Sequence, residues 1–263
     1  MNAPAGFTDI TIEDRGAVRI IRFTRAAKKN AITRAMYSAM AAGLESASTD
    51  KAIRVVVIAG SEGVFTAGND LMDFMEAPPT IGGADMPPVE RFMRALLGCS
   101  KPVVGCVDGL AIGIGVTLLL HCDLAYASDR STFKTPFVDL ALVPEFGSSA
   151  VIPGIVGRVV ASELLLLGET WDANRAEAKN LVNAIFPAGD LESEVMKRAE
   201  AMAAKAPNAV KKSKALMTKG VEAIHTLMAE EGAEFAAQLA SEEFKEAVTA
   251  FLERRPPDFS RFG

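Results

Sequence analysis

The sequence predicts an α/β fold, and three features of its pattern support that prediction. The segments "IRVVVIAG" and "KPVVGCVDG" are continuous runs rich in β-branched residues, as expected of strands buried on both faces. A glycine-rich turn follows each run, "SEGVFTAGND" after the first and "LAIGIGVTLLLHC" after the second, where it enters a helix. Strands joined to helices through such turns form junctions where backbone can approach a ligand closely.

The N-terminal elements follow from shorter patterns. The segments "FTDITIED" and "AVRIIRFT" alternate apolar and polar residues, which predicts two paired strands around the turn 14–16. The basic segment "RAAKKNAIT" is an irregular loop, and Thr33 can cap a helix over "RAMYSAMAAGLESAS". Further along, "DLAYASDRSTFKT" predicts another strand and turn.

The character of the chain changes near residue 190. From there the segments are long and amphipathic, with helical spacing and no strand pattern. We therefore divide the chain into an α/β core, residues 1–190, and a C-terminal helical region, residues 191–263. The apolar stripes of that region need a partner, which is either the core or a neighbouring subunit.

Composition excludes several classes of protein. Of 263 residues, 49% are hydrophobic and the formal net charge is −5, which allows a large core and argues against a nucleic-acid binder. Three cysteines without a C-x-x-C pair favour a reducing compartment. The first residues resemble no secretory signal, and the longest uncharged run, 14 residues, is too short to cross a bilayer. We expect a cytoplasmic protein with no membrane partner.

Several familiar chemistries have no support in the sequence. The chain has two histidines, His121 and His225, for which structural or surface positions are the simpler interpretation. It has no G-x-S-x-G elbow, no metal-ligand spacing and no nucleotide-binding glycine motif. We expect neither a metal ion nor a redox cofactor.

One acidic residue stands in an unusual setting. Glu145 lies in "DLALVPEFGSSA", between Pro144 and Phe146, with no basic residue within ten positions. A carboxylate in apolar surroundings is costly unless it is exposed or paired. Local sequence leaves two interpretations open, a solvated loop residue or a functional acid. The other acids near strand ends are expected to cap helices or turns: Asp70, Asp73, Asp108, Asp123 and Asp129.

Several ordered motifs together resemble the crotonase (enoyl-CoA hydratase/isomerase) superfamily over nearly the whole chain. They are "KKNAI", "FTAGNDL", "KPVVGCVDGLAIGIGVTLLLHCDLAYAS", "FKTPF", "VPEFG" and "WDANRAEAKNLVNAIFP". Within the superfamily the sequence is most similar to Δ3,Δ2-enoyl-CoA isomerases of the peroxisomal type. The resemblance implies a spiral of β-β-α units with a C-terminal helical trimerisation region. It also implies an acyl-CoA thioester as the partner and a homotrimer or a hexamer of two trimers.

The resemblance also implies a catalytic site. The backbone N–H groups of Asn69 and Ile114 correspond to the two donors of an oxyanion hole, which stabilises the negative charge of a thioester enolate. A typical hydratase has two glutamates, and this chain has Thr117 and Phe137 at the matching positions. Glu145 matches the single glutamate of the isomerases, which moves a proton from C2 to C4 of a 3-enoyl thioester. Water exclusion by Phe137 and a raised pKa would suit that role.

The expected substrate contacts follow from the same motifs. Lys28 and Lys29 would meet the phosphates of coenzyme A, Ala31 and Ile32 the adenine through their backbone, and "FLERR" could add Phe251, Arg254 or Arg255. Leu71, Phe74 and Met75 would line the acyl tunnel, beside the irregular loop "MEAPPTIGGADMPPVE". The full set of expected substrate-binding residues is Lys28, Lys29, Asn30, Ala31, Ala67, Gly68, Asp70, Leu71 and Phe137.

Three other functions remain open from the sequence. One is enoyl-CoA hydration in fatty-acid β-oxidation, against which the missing glutamates count. A second is another enolate reaction of Glu145 on a different thioester. The third is a non-catalytic acyl-CoA-binding subunit, in which Glu145 would be dispensable.

Overall fold

The computed structural model describes residues 9–79, 81 and 86–263. Two sequence predictions fall partly outside these ranges. The predicted first strand includes residues 7 and 8, and the proline- and glycine-rich loop includes residues 80 and 82–85.

An antiparallel hairpin begins the described chain, as the alternating pattern predicts. Strands β1 (Ile10–Arg15) and β2 (Val18–Phe23) pair with Arg15 opposite Val18. Gly16 in the two-residue turn has a φ of +59°. Short hairpin turns require this left-handed backbone, which glycine adopts without steric cost.

The hairpin continues into a six-stranded sheet. Its further strands are β3 (Val55–Ala59), β4 (Val103–Val107), β6 (Leu124–Ser128) and β9 (Ala184–Phe186). The strand order is β1-β2-β3-β4-β6-β9, and every pair after the hairpin is parallel. All residues of β3 and β4 are buried, which confirms the interpretation of the two β-branched runs.

Helices cover both faces of this sheet. Helices α1 (Arg34–Thr49) and α3 (Pro88–Leu97) pack with the larger hydrophobic cluster on one face, and α8 (Leu191–Ala203) covers the other. Alternate strand residues divide between the two clusters, so that Val56 joins the first and Val57 the second. The amphipathic segment after residue 190 therefore begins by covering the core of its own chain.

A three-stranded sheet carries the second glycine turn. Strand β5 (Leu110–Ile112) is parallel to β7 (Thr132–Lys134), which is antiparallel to β8 (Trp171–Asp172). The helix expected in "LAIGIGVTLLLHC" is shorter than the sequence suggests, because its first residues pair as β5. Only α4 (Ile114–Thr117) is α-helical there, and it continues as a 3₁₀-helix over Leu118–His121.

Caps define the starts of the helices near these sheets. Thr33 caps α1 as predicted, since its side chain accepts a hydrogen bond from the N–H of Met36. Asp70 caps α2 (Leu71–Glu76) in the same way, which confirms one of the capping roles expected for the acids. The remaining helices of this region are α5 (Ser148–Val156), α6 (Arg158–Leu165) and α7 (Ala173–Ala178).

Three further helices end the chain, α9 (Pro207–Met217), α10 (Val221–Leu239) and α11 (Glu242–Glu253). Phe235 of α10 and Phe244 of α11 belong to the larger hydrophobic cluster, so these helices also pack on the core. Within the described ranges, none of the helices is both long enough and apolar enough to cross a membrane.

The glycine-rich turns place strict limits on side-chain size, which gives a first prediction. A Cβ on Gly109 (φ +76°) would lie 1.9 Å from the carbonyl oxygen of Gly63, whereas one on Gly16 would meet nothing within 4 Å. Gly109→Ala should lower the free energy of unfolding by about 3 kcal/mol or more, and Gly16→Ala by about 1 kcal/mol from backbone strain alone. Urea unfolding followed by circular dichroism measures both losses. Equal losses would contradict the contact between the two turns.

Candidate active site

The two glycine turns are joined to each other by backbone hydrogen bonds. Thr66 and Ala111 form a parallel bridge, in which the Thr66 N–H donates to Leu110 O and the Ile112 N–H donates to Thr66 O, both at 3.0 Å. The approach is close, since a Cβ on Gly115 would lie 2.6 Å from the Thr66 methyl carbon. The register of one turn is therefore fixed relative to the other.

This bridge places the two expected oxyanion donors at equivalent positions. Asn69 and Ile114 each lie three residues beyond the bridged pair, and both line the same cavity. Ile114 is the first residue of α4, so its N–H has no acceptor within the helix. In the described part of the chain, the N–H of Asn69 has no backbone acceptor either. Both amides are available to a ligand.

The basic loop is held against the first glycine turn. The Ile32 N–H donates to Gly68 O at 2.8 Å, and the Asp70 N–H donates to Ile32 O at 2.9 Å. Arg25 adds a side-chain connection, because its Nη1 contacts Asp70 Oδ2 at 2.7 Å and Ala31 O at 2.9 Å. The loop that carries Lys28 is thereby tied to the turn that carries Asn69.

Glu145 stands on a sharply bent turn before α5. Phe146 and Gly147 both have left-handed backbone, with φ of +59° and +72°. The Ser148 N–H donates to Glu145 O at 3.1 Å, and His121 Nε2 donates to Phe146 O at 2.7 Å. Burial lowers the pKa of His121 to about 4, so this imidazole is neutral near pH 7 and acts as a structural donor.

The Glu145 carboxyl group has one direct side-chain partner among the described residues. The Thr117 hydroxyl donates to its Oε1 at 2.5 Å. Burial raises the pKa of Glu145 from 4.5 to about 8, the Thr117 hydrogen bond opposes that increase, and the nearby Glu231 carboxylate adds to it. A carboxyl group in such surroundings is a stronger base than an exposed glutamate.

These groups meet at a large cavity of about 1150 Å³. A much smaller apolar pocket of about 30 Å³, with room for one or two waters, lies beside it. Four residues line both spaces: Asn69, Phe74, Glu145 and Phe235. Asn69 and Glu145 therefore lie where the large cavity meets the small apolar pocket.

Most of the residues expected at the site do line the large cavity. These are Lys28, Ala31, Ala67, Gly68, Asn69, Asp70, Leu71, Ile114, Phe137 and Glu145. Lys29 and Asn30 do not. Lys29 is exposed outside the lining, and Asn30 is fully buried, where its amide donates to Val64 O at 2.7 Å. The Asn30 side chain is thus a support for the loop rather than a substrate contact.

The C-terminal motif "FLERR" contributes two of its three expected residues to the cavity wall. Phe251 and Arg255 line the cavity within the same chain, whereas Arg254 is not among the lining residues. The Arg255 guanidinium pairs with Glu246 and Glu253 at 2.6 and 2.7 Å. Its charge is therefore already balanced, which weakens the expected contact with phosphates.

Sequence reasoning missed three contributions to the site. The Tyr37 hydroxyl donates to Asn69 Oδ1 at 2.5 Å and so fixes the side chain of the first turn. Glu231 of α10 is buried beside Glu145, and Phe235 and Phe244 form part of the cavity wall. An acid within the apolar stripe of "LMAEEGAEF" was the available signal for Glu231. Nothing in the local pattern around Tyr37 indicated its role.

The described residues contain no group of three or more histidine, cysteine, aspartate or glutamate side chains that could hold a metal ion. Cys99, Cys106 and Cys122 are free thiols, and burial raises the pKa of both Cys106 and Cys122 to about 12. Such thiols are inert structural residues.

Comparison with known proteins gives consistent results. The family model described as enoyl-CoA hydratase/isomerase matches residues 13–261. Enoyl-CoA delta isomerase 2 of Rattus norvegicus is 37% identical over 254 residues, covering 94% of this chain and 64% of the relative. The 2,3-dehydroadipyl-CoA hydratase of Escherichia coli K12 is 30% identical, covering 96% and 98%. A crystal structure of an enoyl-CoA hydratase/isomerase from Pseudoalteromonas atlantica T6c is 42% identical with a TM-score of 0.90, covering 96% and 100%.

The fold and the site thus define a crotonase-type protein. The chain belongs to the enoyl-CoA hydratase/isomerase family, which confirms the resemblance and the fold expected from the motifs. It spans 64% of the length of the rat isomerase and the same share of its human counterpart.

The raised pKa of Glu145 has a consequence for stability. Its pKa is about 8 in the folded protein against 4.5 for an ordinary glutamate, so the folded state binds the extra proton between these values. The stability that this proton contributes is complete below the lower pKa and is lost as the pH rises through the higher one. Glu145→Gln removes this dependence. Between about pH 5 and about pH 9 the variant should gain on the order of 3 kcal/mol of unfolding free energy relative to wild type.

Urea unfolding of both proteins at a series of pH values measures that difference. All other titrating groups are common to the two proteins, so their contributions cancel. A difference that stays constant with pH would show that Glu145 has an ordinary pKa.

Proposed function

We propose that this chain is a Δ3,Δ2-enoyl-CoA isomerase that converts 3-enoyl-CoA into trans-2-enoyl-CoA. The observation that carries the proposal is the buried carboxyl group of Glu145, which lines the same cavity as the two free amides. Its pKa of about 8 suits proton abstraction near neutral pH. The reaction as proposed uses no metal ion or redox cofactor, and coenzyme A is part of the substrate.

The proposed reaction moves one proton and one double bond. The thioester oxygen accepts hydrogen bonds from the N–H groups of Asn69 and Ile114, each worth about 3 kcal/mol in the transition state. Glu145 removes a proton from C2, which breaks that C–H bond and forms an enolate. The double bond moves from C3–C4 to C2–C3, and the same carboxyl group returns the proton to C4. Atoms and charge balance without a co-reactant.

Thr117 supports the single-base mechanism. Its hydroxyl donates a hydrogen bond to Glu145 Oε1, and no other described side chain donates to the carboxyl group. The second oxygen, Oε2, is therefore the atom that takes the proton. Thr117 has no acid–base function of its own at neutral pH, so the pair acts as one oriented base.

The lack of a carboxylate at either position that matches the hydratase glutamates favours isomerisation over hydration. Hydration needs a water to be held and activated, and the matching hydratase positions are Thr117 and Phe137. Phe137 is only 5% exposed and belongs to the cavity wall, where its ring displaces water. The rival function is enoyl-CoA hydration, which the name of the Escherichia coli relative favours.

Substrate and assembly complete the proposal. An acyl-CoA fits a cavity whose rim carries Lys28 and whose inner end is apolar. We propose a homotrimer, alone or as a pair of trimers, because large apolar side chains are exposed on this chain. They include Val159, Leu166, Leu167, Leu216 and Met217.

The test of the proposed reaction uses two substrates. Conjugated-enoyl absorbance should rise when the protein is mixed with trans-3-hexenoyl-CoA and should not fall with crotonyl-CoA. Glu145→Gln should slow isomerisation by about 10³-fold while acyl-CoA binding persists, because the neutral amide cannot take a proton. The exposed Glu177→Gln variant is the control for removal of one charge and should keep full activity.

Two results would contradict this function. Loss of crotonyl-CoA absorbance would identify a hydratase that works without the usual pair of glutamates. Unchanged isomerisation by Glu145→Gln would remove Glu145 from the mechanism.

The two neighbouring lysines give a separate prediction. Lys28 lines the cavity, whereas Lys29 is exposed outside it. Lys28→Ala should raise KM for the acyl-CoA by about 10-fold through loss of one charged contact with a phosphate, with little change in kcat. Lys29→Ala, the matched control, should change KM little. Steady-state kinetics at low and high salt measure both changes in KM. Equal changes in KM for the two variants would contradict the contact between Lys28 and a phosphate.

A further inference from the structure

Glu231 is a buried acid that the proposed reaction does not use. It lies on α10, far along the chain from Glu145, and is only 7% exposed. Its Oε2 accepts a hydrogen bond from the Gly147 N–H at 2.6 Å, and its Oε1 accepts one from the Ser149 N–H at 3.0 Å. Both carboxylate oxygens are thus bound to the turn that carries Glu145.

Those two amides belong to the start of α5. The first N–H groups of a helix have no intrahelical acceptor, and Gly147 at the N-cap has no side chain to supply one. The carboxylate of Glu231 supplies the missing acceptors from another helix. Its negative charge also suits the positive end of the α5 dipole. The contact is therefore favourable even though the acid is buried.

The turn needs such support because its backbone is intrinsically unfavourable. Phe146 and Gly147 are consecutive left-handed residues, and bulky residues rarely adopt that conformation. A Cβ on Gly147 would lie 3.0 Å from the side chain of Ile224, which also belongs to α10. Helix α10 therefore holds the turn both by packing and by hydrogen bonds.

We propose that Glu231 is a positioning residue for Glu145: by binding the amides of Gly147 and Ser149 it holds the turn so that the Glu145 carboxyl group keeps one orientation in the cavity. This inference rests on the proposed isomerase function for its kinetic consequences. Its structural content, a carboxylate that fixes the turn, is independent of that function.

The charge of Glu231 has a second effect on Glu145. After burial, the nearby negative charge contributes to the raised pKa of Glu145. Two further titratable groups of the described chain lie near the turn: Tyr37, whose own pKa burial raises well above 10, and His121, which is neutral at pH 7. Neither carries charge near neutral pH, so Glu231 is the charged neighbour that a substitution can test.

The experiment compares Glu231→Gln with Glu230→Gln, its neighbour on the same helix, which is exposed and forms no side-chain hydrogen bond or ion pair among the described residues. In Glu231→Gln we expect kcat for trans-3-hexenoyl-CoA to fall by about 10-fold with KM within about 2-fold of wild type, because a charged acceptor is lost from the turn. The rising limb of the kcat/KM profile should move to lower pH, since a repulsive charge is removed. Glu230→Gln should match wild type in all three quantities.

Amide hydrogen exchange tests the same inference without turnover. The N–H groups of Gly147 and Ser149 should be protected in wild type and in Glu230→Gln, and should exchange about 10-fold faster in Glu231→Gln. If Glu231→Gln does not fold, Glu231→Asp replaces it. Asp keeps the charge with a shorter reach, so it should keep the pH limb of wild type while kcat falls.

The outcomes separate the two proposals. Wild-type kinetics and unchanged exchange in Glu231→Gln would overturn the positioning role. Lower stability with an unmoved pH limb and normal kcat would also overturn it, since that is a purely structural residue. Absence of isomerisation in wild type would refute the proposed function alone, and faster exchange at residues 147 and 149 would still support the positioning role.

Discussion

The contact between the two glycine turns is the constraint on which the rest of the site depends. The bridge between Thr66 and Ala111 sets two loops from different strands in one register, and both free amides follow from that register. A methyl group at Gly109 or Gly115 would collide with the opposite turn. Glycine at these two positions therefore allows the turns to approach closely enough to form the bridge.

The high basicity of Glu145 comes at a cost in the stability of the folded protein. An ionised Glu145 is disfavoured by burial and by the charge of Glu231, and only the Thr117 hydroxyl favours it. In the proposed reaction a strong base is useful because the proton at C2 of a thioester is weakly acidic. The desolvation that lowers the stability of the fold would therefore favour proton abstraction. Contacts from other parts of the structure compensate for this cost in stability. The turn that holds Glu145 is fixed by α10 and by His121 rather than by its own backbone preference.

The sequence predicted those parts of the fold and of the site that depend on local pattern. The hairpin, the buried strands, the Thr33 cap and the glycine turns each have a short-range signature, and the structure contains all of them. The ordered motifs located Glu145, Asn69 and Ile114, which the fold brings to one cavity. Lys29 and Asn30 were assigned to the substrate from the motif "KKNAI", but a motif does not determine which way each side chain points in a loop where both residues have left-handed backbone. The part played by α10 depends on packing between distant segments, which no local pattern specifies.

The geometry at position 117 also bears on the proposed choice between isomerisation and hydration. The Thr117 hydroxyl oxygen is 2.5 Å from Glu145 Oε1. A glutamate in place of Thr117 would bring two carboxyl groups into contact, where both cannot ionise and one proton would be shared between them. With one shared proton, one group of the pair would stay ionised, but its basicity would belong to the pair rather than to Glu145 alone. In this chain the neutral Thr117 hydroxyl instead lowers the pKa of Glu145 against the effect of burial, so the two side chains act together in the proposed reaction.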